Sequence, residues 1–435
     1  MTKKDIIKSL IRDFHHRPLP DLVARDLSIP ANIKKIITIT GPRRCGKTFR
    51  LFQVASQLIK NRPKESVLYI NFEDERLDLA VSELDLVIQA YRELYPEQEI
   101  SDCAFLLDEI QNVPGWEKFI RRVYDTISPN IYITGSNSRL LSSDISTSLR
   151  GRSINYELYP LSFREFLRFK SISYDPYVAE IMAQVNHELE NYIEWGGFPE
   201  VANVQDSIVR NKILQEYYHV MLFRDLVEHY QIRNTTALKF FLKRLFSSAT
   251  KEVSVNRIYN DLKSAGIRIG KNTLYDFLFY AEAIFLVGCL PKYSPKLSVR
   301  EFGERRIFAI DNGLLNAVIY RFTNDRGKAV EQIVYWELRR RNNEIFFLKN
   351  GFECDFLIKS QKTSQKEVIQ VCVDMSEPTT RKREIKGLVA ACRIAGIENG
   401  IVVTMEEQDE FVVDGIGVRL VPLVHFLLES GQQQR

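Results

Sequence analysis

The segment Gly41-Pro42-Arg43-Arg44-Cys45-Gly46-Lys47-Thr48 has the residue types and spacing that hold a phosphate chain. The backbone N–H groups of such a loop face the β-phosphate, and a helix beginning at its end adds a favourable dipole. Lys47 is placed to reach the β- and γ-phosphates, and the Thr48 hydroxyl to ligate Mg2+. The bland alternative is a chance glycine turn. The flanks argue against it. Ile36-Ile37-Thr38-Ile39 reads as a buried strand, and the run from Phe49 to about Leu58 has helical spacing. Residues 41–48 are therefore expected to cradle ATP. Arg43 and Arg44 are expected to contact the chain's own acids or a partner rather than to act in catalysis.

A second group of residues completes the chemistry. The apolar run 103–107 ends in Asp108-Glu109. Asp108 is expected to hold Mg2+, directly or through water, and Glu109 to polarise the attacking water. Alone, two acids at a strand end are commonplace; about sixty residues after a phosphate loop they form a Walker pair. The next apolar run ends in Thr134-Gly135-Ser136-Asn137-Ser138. Asn137 and Ser136 are the candidates to touch the γ-phosphate or the lytic water. The alternative is an N-cap for a helix beginning near Arg139. Beyond it, Arg150 and Arg152 lie in Ser148-Leu149-Arg150-Gly151-Arg152. Either can be a finger completing a neighbouring subunit's site, or a loop charge or internal salt bridge.

These residues need a scaffold. Val67–Phe72, Cys103–Leu107 and Ile131–Thr134 are continuous apolar runs between helical stretches, and with 36–39 they predict a parallel sheet covered on both faces. An amphipathic helix (Ile6, Ile7, Leu10, Ile11, Phe14) leads in. From about 160 to 245 the pattern is helical, broken by Trp195-Gly196-Gly197-Phe198-Pro199. A capped helix from Val253–Asn256 through Leu262, a turn at Gly266–Gly270 and a second helix from Asn272 follow. A hairpin of Ile284–Val287 and Leu290–Tyr293 completes a winged-helix plan. Lys263, Arg268, Lys271, Lys292, Lys296 and Arg300 make a modest positive group there. A second α/β pattern begins near 303. The tip Gln432-Gln433-Gln434 reads as disordered.

At 435 residues the chain is long for one core. A net charge of +4 permits nucleic acid without arguing for it. Six cysteines with no C-x-x-C pair predict neither zinc nor a disulfide framework. The charged N-terminal helix is no signal peptide, and no apolar run is long enough to span a bilayer. A cytoplasmic protein that does not engage membranes is expected.

The segments GPRRCGKT, YINFEDERL, FLLDEIQNVPGWEKFIRRVYD, ITGSNSRLLS, LRGR, LYPLSFREF and WGGFPEV occur in this order. Together they resemble the bacterial and archaeal AAA+-type ATPase family of ATP-binding proteins with a C-terminal domain of unknown function. The resemblance spans essentially the whole chain. It implies an additional-strand P-loop core (1–160), a helical lid (161–245), a winged helix (246–302) and a C-terminal α/β domain similar to PD-(D/E)XK nucleases (303–435). In a working nuclease of that kind, acids bind Mg2+ and a lysine steadies the attacking water or the phosphate charge. Asp355 matches the first acid and Glu331 the helix acid, but Gln370 and Cys372 stand where Glu and Lys are required. Cleavage is therefore expected to be lost unless Lys359 moves in from the neighbouring strand. The expected function is a Mg2+-dependent ATPase that drives conformational change or remodelling, acting on duplex or branched DNA and forming a homo-oligomer. The alternatives are an ATP-gated nuclease and a signalling ATPase that assembles without DNA.

Overall fold

In β1 (Ile36–Thr40) every residue is buried, as its β-branched sequence requires of a strand with helices on both faces. The computed structural model describes residues 2–30, 33–136, 149, 151–319, 325–341, 343–360 and 365–428. Asn137, Ser138, Arg150 and the tip 432–434 lie outside them. The chain divides into two units, residues 1–159 with 283–285, and 160–282 with 286–435.

The first unit is built on one parallel sheet in the order β2-β3-β4-β1-β5. Its other strands are β2 (Val67–Asn71), β3 (Ala104–Asp108), β4 (Ile131–Gly135) and β5 (Ser153–Glu157). The additional strand β4 separates the strand before the phosphate loop from the strand that ends in Asp108. Alternation along β3 divides the two cores. Phe105 and Leu107 pack with α1 (Lys3–His16), α3 (Asp85–Leu94) and α4 (Trp116–Thr126); Leu106 packs with α2 (Lys47–Leu58) on the opposite face. Thr2 and Asp5 close a capping box at the start of α1, which buries Ile7 and Ile11.

The apolar runs predict four strands, and the structure adds β5. Ser-Ile-Asn-Tyr-Glu is a half-buried edge strand without a hydrophobic signature. It forms because β1 offers a free ladder edge, and Asn155 Oδ1 accepts from the Thr38 and Thr40 hydroxyls at 3.0 and 3.1 Å.

The second unit begins with helices Phe163–Phe169, Ala179–Trp195, Pro199–Asn203 and Ser207–Val220. A π-helical segment, Met221–Glu228, and helix Thr235–Ser247 follow. The break at Gly196-Gly197 is a docking point. Gly196 has φ 75° and ψ −163°, a conformation open essentially to glycine alone. A Cβ there would lie 2.0 Å from Asp311 Oδ1. Asp311 accepts from the N–H groups of Gly197 (2.7 Å) and Leu314 (3.1 Å), so one buried carboxylate caps helix Asn312–Val318 and fixes the turn. Gly196→Ala is expected to destabilise the protein by about 3 kcal/mol or more, from backbone strain plus the clash. An unchanged denaturant midpoint for that variant would refute this account of the turn.

Next comes a small sheet, β6 (Glu252–Val253), β7 (Val287–Pro291) and β8 (Arg305–Ala309), in the order β6-β8-β7, with helices Val255–Ser264 and Lys271–Ala283 between β6 and β7. The expected hairpin of 284–287 with 290–293 does not form. Phe285 turns the chain with φ 60°, and 287–291 is one strand paired antiparallel with β8. Gly288-Cys289, between the two expected halves, continues the strand instead of turning it. Gly288 serves packing instead: a Cβ there would meet the Tyr335 hydroxyl at 2.6 Å.

A six-stranded sheet ends the unit, in the order β13-β14-β12-β11-β10-β9. The strands are β9 (Asn343–Lys349), β10 (Glu353–Ser360), β11 (Lys366–Val371), β12 (Asn399–Thr404), β13 (Asp409–Val413) and β14 (Ile416–Pro422). Strands β11, β12 and β14 are parallel, while β9, β10 and β13 join antiparallel. Helix Arg326–Arg340 precedes β9 and helix Pro378–Ala395 follows β11.

Candidate functional site

The loop 41–48 sits where β1 turns into α2. Gly46 caps α2 with φ 100°, a left-handed conformation that suits glycine. Gly41 has no room for a side chain, since a Cβ would lie 2.0 Å from Leu158 O. Lys47 and Thr48 thus fall in the first turn of α2, two residues earlier than the helical spacing alone begins. The Lys47 ammonium is buried and donates to Gly41 O (3.2 Å) and Pro42 O (3.1 Å).

The parallel order of the strands brings both acids to this loop. Lys47 Nζ lies 3.2 Å from Glu109 Oε1, and both side chains are under 10 % exposed. Burial pushes the Glu109 carboxyl up, but the Lys47 ammonium, the Gln111 amide and the Arg43 guanidinium outweigh it and hold the group below its ordinary value. Burial likewise lowers Lys47, and Glu109 more than restores it, so the pair is ionised. Glu109 adopts φ 52°, rare for a residue with a side chain. Such strain marks positions where side-chain placement matters more than backbone comfort.

Asp108 is a hub of hydroxyls. Its carboxylate accepts from Thr48 Oγ1 at 2.7 Å, from Tyr69 OH at 3.1 Å and from Thr134 Oγ1. Thr134 Oγ1 also accepts from the Glu109 N–H at 2.9 Å. Burial raises the Asp108 carboxyl despite the Thr134 and Thr48 hydrogen bonds. Thr48 and Asp108 present hard oxygen donors side by side, the chemistry that suits Mg2+.

Tyr69, Gln111 and Thr134 lie within the quoted segments, but their types alone do not single them out as site residues. Thr134 lies at the end of the strand where Asn137 and Ser136 are expected; it is the described residue there that reaches the acids, while Ser136 is buried beside it. Arg43 pairs with Glu73 at 2.9 Å, in line with a contact to the chain's own acid. Arg44 is exposed, with φ 64°. Arg152 Nε binds Asp125 Oδ1 of its own chain at 2.8 Å, with both side chains about a third exposed.

A second cluster lies in the six-stranded sheet. Asp355 on β10 and Glu331 on helix Arg326–Arg340 come together as expected, and Gln370 on β11 joins them. Gln370 Oε1 accepts the Asp355 N–H at 3.1 Å, and its amide donates to Glu384 at 2.6 Å. At the centre stands Arg306 from β8, 3 % exposed. It binds Asp355 Oδ1 at 2.9 Å, Glu331 Oε1 at 3.1 Å and also Glu353. A guanidinium fills the place between the acids where a cation would be needed for cleavage. Lys359 does not move in; it is half exposed, 3.7 Å from Glu344. Cys372 donates to Asp374 O at 3.2 Å.

The basic residues Lys263, Arg268, Lys271 and Lys296 are exposed, while Lys292 and Arg300 are partly buried. Helix Lys271–Ala283 also exposes Tyr275 and Phe279, one turn apart, at 47 % and 43 %. No helix among the described residues is long and apolar enough to cross a membrane.

Residues 33–167 match a AAA domain, and 186–325 match a domain of unknown function, DUF8612. The chain is 35% identical over 396 residues to the uncharacterized protein MJ1544 of Methanocaldococcus jannaschii, covering 89% of this chain and 86% of that one. It is 28% identical over 396 residues to an uncharacterized protein of Haemophilus influenzae, covering 91% and 94%. Among solved structures, the ORC2 protein of Aeropyrum pernix in ADPNP–ADP complexes has 13% identity, a TM-score of 0.30 and coverage of 77% of this chain and 95% of that one. The A. pernix ORC1 protein in complex with DNA has 12% identity, a TM-score of 0.32 and coverage of 73% and 91%.

Proposed function

Because the chain belongs to the family of MJ1544 from M. jannaschii and carries a AAA domain, we propose that it is a Mg2+-dependent ATPase. The observation that carries the reading is the convergence of Lys47 and Thr48 with the buried Asp108 and Glu109 at the loop 41–48. Mg2+ held by Thr48 and Asp108 would supply positive charge to the β- and γ-phosphate oxygens. Lys47 leaves Glu109 for the phosphates, and the released Glu109 carboxylate accepts the proton of the attacking water. Thr134 orients both acids by holding the Asp108 carboxylate and the Glu109 backbone together. The test is steady-state phosphate release with and without Mg2+; a folded protein that turns over no ATP refutes the reading.

The hydrolysis cycle drives a change in the second unit, which acts on DNA. The small sheet with its helices has the element order of a winged helix, and Lys263, Arg268, Lys271 and Lys296 are exposed on it. Each phosphate they neutralise steepens the salt dependence by about 0.9 in log–log slope, so binding indifferent to sequence with a slope near −3 to −4 is expected. Titration of duplex, forked and four-way-junction DNA at several salt concentrations measures it. No strand scission is expected, because Arg306 already occupies the space between Asp355 and Glu331. The exposed Tyr275 and Phe279 favour a second reading, a signalling ATPase whose partner is a protein. Absence of DNA affinity even at low salt would select it.

Arg152 remains our candidate to complete a neighbouring subunit's site. Its exposed pair with Asp125 holds it by no more than about 1 kcal/mol, so release is cheap. Arg152→Ala is expected to lower turnover about tenfold, equivalent to 1.4 kcal/mol of transition-state stabilisation. Wild-type activity per chain should rise with protein concentration. Activity independent of concentration and unchanged in Arg152→Ala removes the finger.

A further inference from the structure

We propose that Arg25 is a positioning residue for the phosphate-binding loop, an inference that rests on the nucleotide reading above. Residues 17–30 have no regular secondary structure, yet they are tied to the loop and to α2. Gln53 Nε2 donates to Val23 O at 2.5 Å, and Arg50 Nη2 to Leu27 O at 3.1 Å. Leu19, Leu27 and Ile29 pack on the core that contains Cys45 and Leu51. Between these anchors, Arg25 reaches across with both arms of its guanidinium. Nη1 donates to Cys45 O at 2.8 Å, and Nη2 donates to Tyr159 O at 2.6 Å.

The contact sets the direction of a peptide. The bond between Cys45 and Gly46 is trans and planar, so its carbonyl and its N–H point to opposite sides. Arg25 draws the Cys45 carbonyl toward the strap and thereby turns the Gly46 N–H away from it, toward the inside of the loop. That N–H is one of the donors such a loop offers to phosphate. Glycine at φ 100° has no side chain to resist rotation of this peptide, so an outside anchor is needed. The second arm fixes the guanidinium itself. Tyr159 O belongs to the stretch whose Leu158 N–H donates to Thr40 O at 2.7 Å and whose Leu158 O accepts from Cys45 Sγ at 3.3 Å. Arg25 thus references the loop to the end of β1 through a planar, two-pronged donor, which a lysine cannot reproduce.

The test uses the full-length chain with Arg25→Ala and Arg25→Lys. Readouts are MgADP affinity by calorimetry, amide exchange over residues 41–48, and KM and kcat for MgATP. Arg25→Ala is expected to weaken MgADP and raise KM about tenfold, with kcat at saturation within twofold and faster exchange over 41–48. Arg25→Lys should fall between wild type and Arg25→Ala, and it keeps the test available if the alanine variant does not fold. Wild-type MgADP affinity and exchange in both variants overturn the proposal, as does a loss confined to kcat. A folded wild-type protein that binds no MgADP overturns the nucleotide reading beneath it, a separate and recognisable failure.

Discussion

Replacing Lys47 by alanine is expected to abolish ATP binding, with affinity falling by about 10²-fold or more. The ammonium is the one side-chain cation buried inside the loop, and a charge-assisted contact to phosphate in a water-poor site is among the strongest available to a side chain. The substitution also has a structural cost. Glu109 is left buried with Gln111 as its near partner, and an unpaired buried carboxylate destabilises by a few kcal/mol unless it takes up a proton. The free protein should therefore melt lower in Lys47→Ala than in wild type. Adding Glu109→Gln should recover that stability without recovering ATP binding. Calorimetric titration of ATP and thermal melts of the single and double variants measure both halves, and wild-type affinity in Lys47→Ala would remove the loop from the proposed site.

Glu109→Gln alone should separate binding from chemistry. Hydrolysis is expected to slow by about 10²–10⁴-fold, the usual contribution of a positioned general base. Binding should strengthen severalfold. In the free protein Lys47 is engaged by Glu109 at 3.2 Å, and nucleotide has to displace that pair. The amide removes the competing charge while keeping the shape. Single-turnover hydrolysis gives the rate, and equilibrium titration with MgATP gives the affinity. A wild-type rate in Glu109→Gln means that another group takes the proton. An unchanged affinity means that the ion pair does not compete with the phosphates.

Arg306 ties the second unit's small sheet to its six-stranded sheet. Three carboxylates converge on one buried guanidinium, and removing a buried ion-pair partner leaves uncompensated charge. The cluster joins β8 to β10 and to helix Arg326–Arg340, so these buried charges serve packing between two sheets.

The phosphate loop, the acid pair and the strands that carry them can be read from the chain's residues before any fold is known. Those features are local: the loop is eight consecutive residues, and the acids follow directly on an apolar run whose burial its composition dictates. Asp355, Glu331 and Gln370 are singled out only by the resemblance to a nuclease-like domain; what the structure shows is that they meet around Arg306 and Glu384. What completes the sites depends on packing between distant elements. Thr134 follows Ile133, the partner of Leu107, and so stands beside Asp108, while Tyr69, two residues back in the register of β2, points its hydroxyl at the same carboxylate. Edge strand β5 exists because β1 had unpaired backbone groups, not because its residues are apolar. The partner of β7 is β8 rather than the next few residues, because Phe285 turns the chain before a hairpin can form. Arg25 reaches a carbonyl 134 residues away, and Arg306 an acid 49 residues away. Contacts of that kind depend on how whole elements pack, and no window of sequence contains both partners.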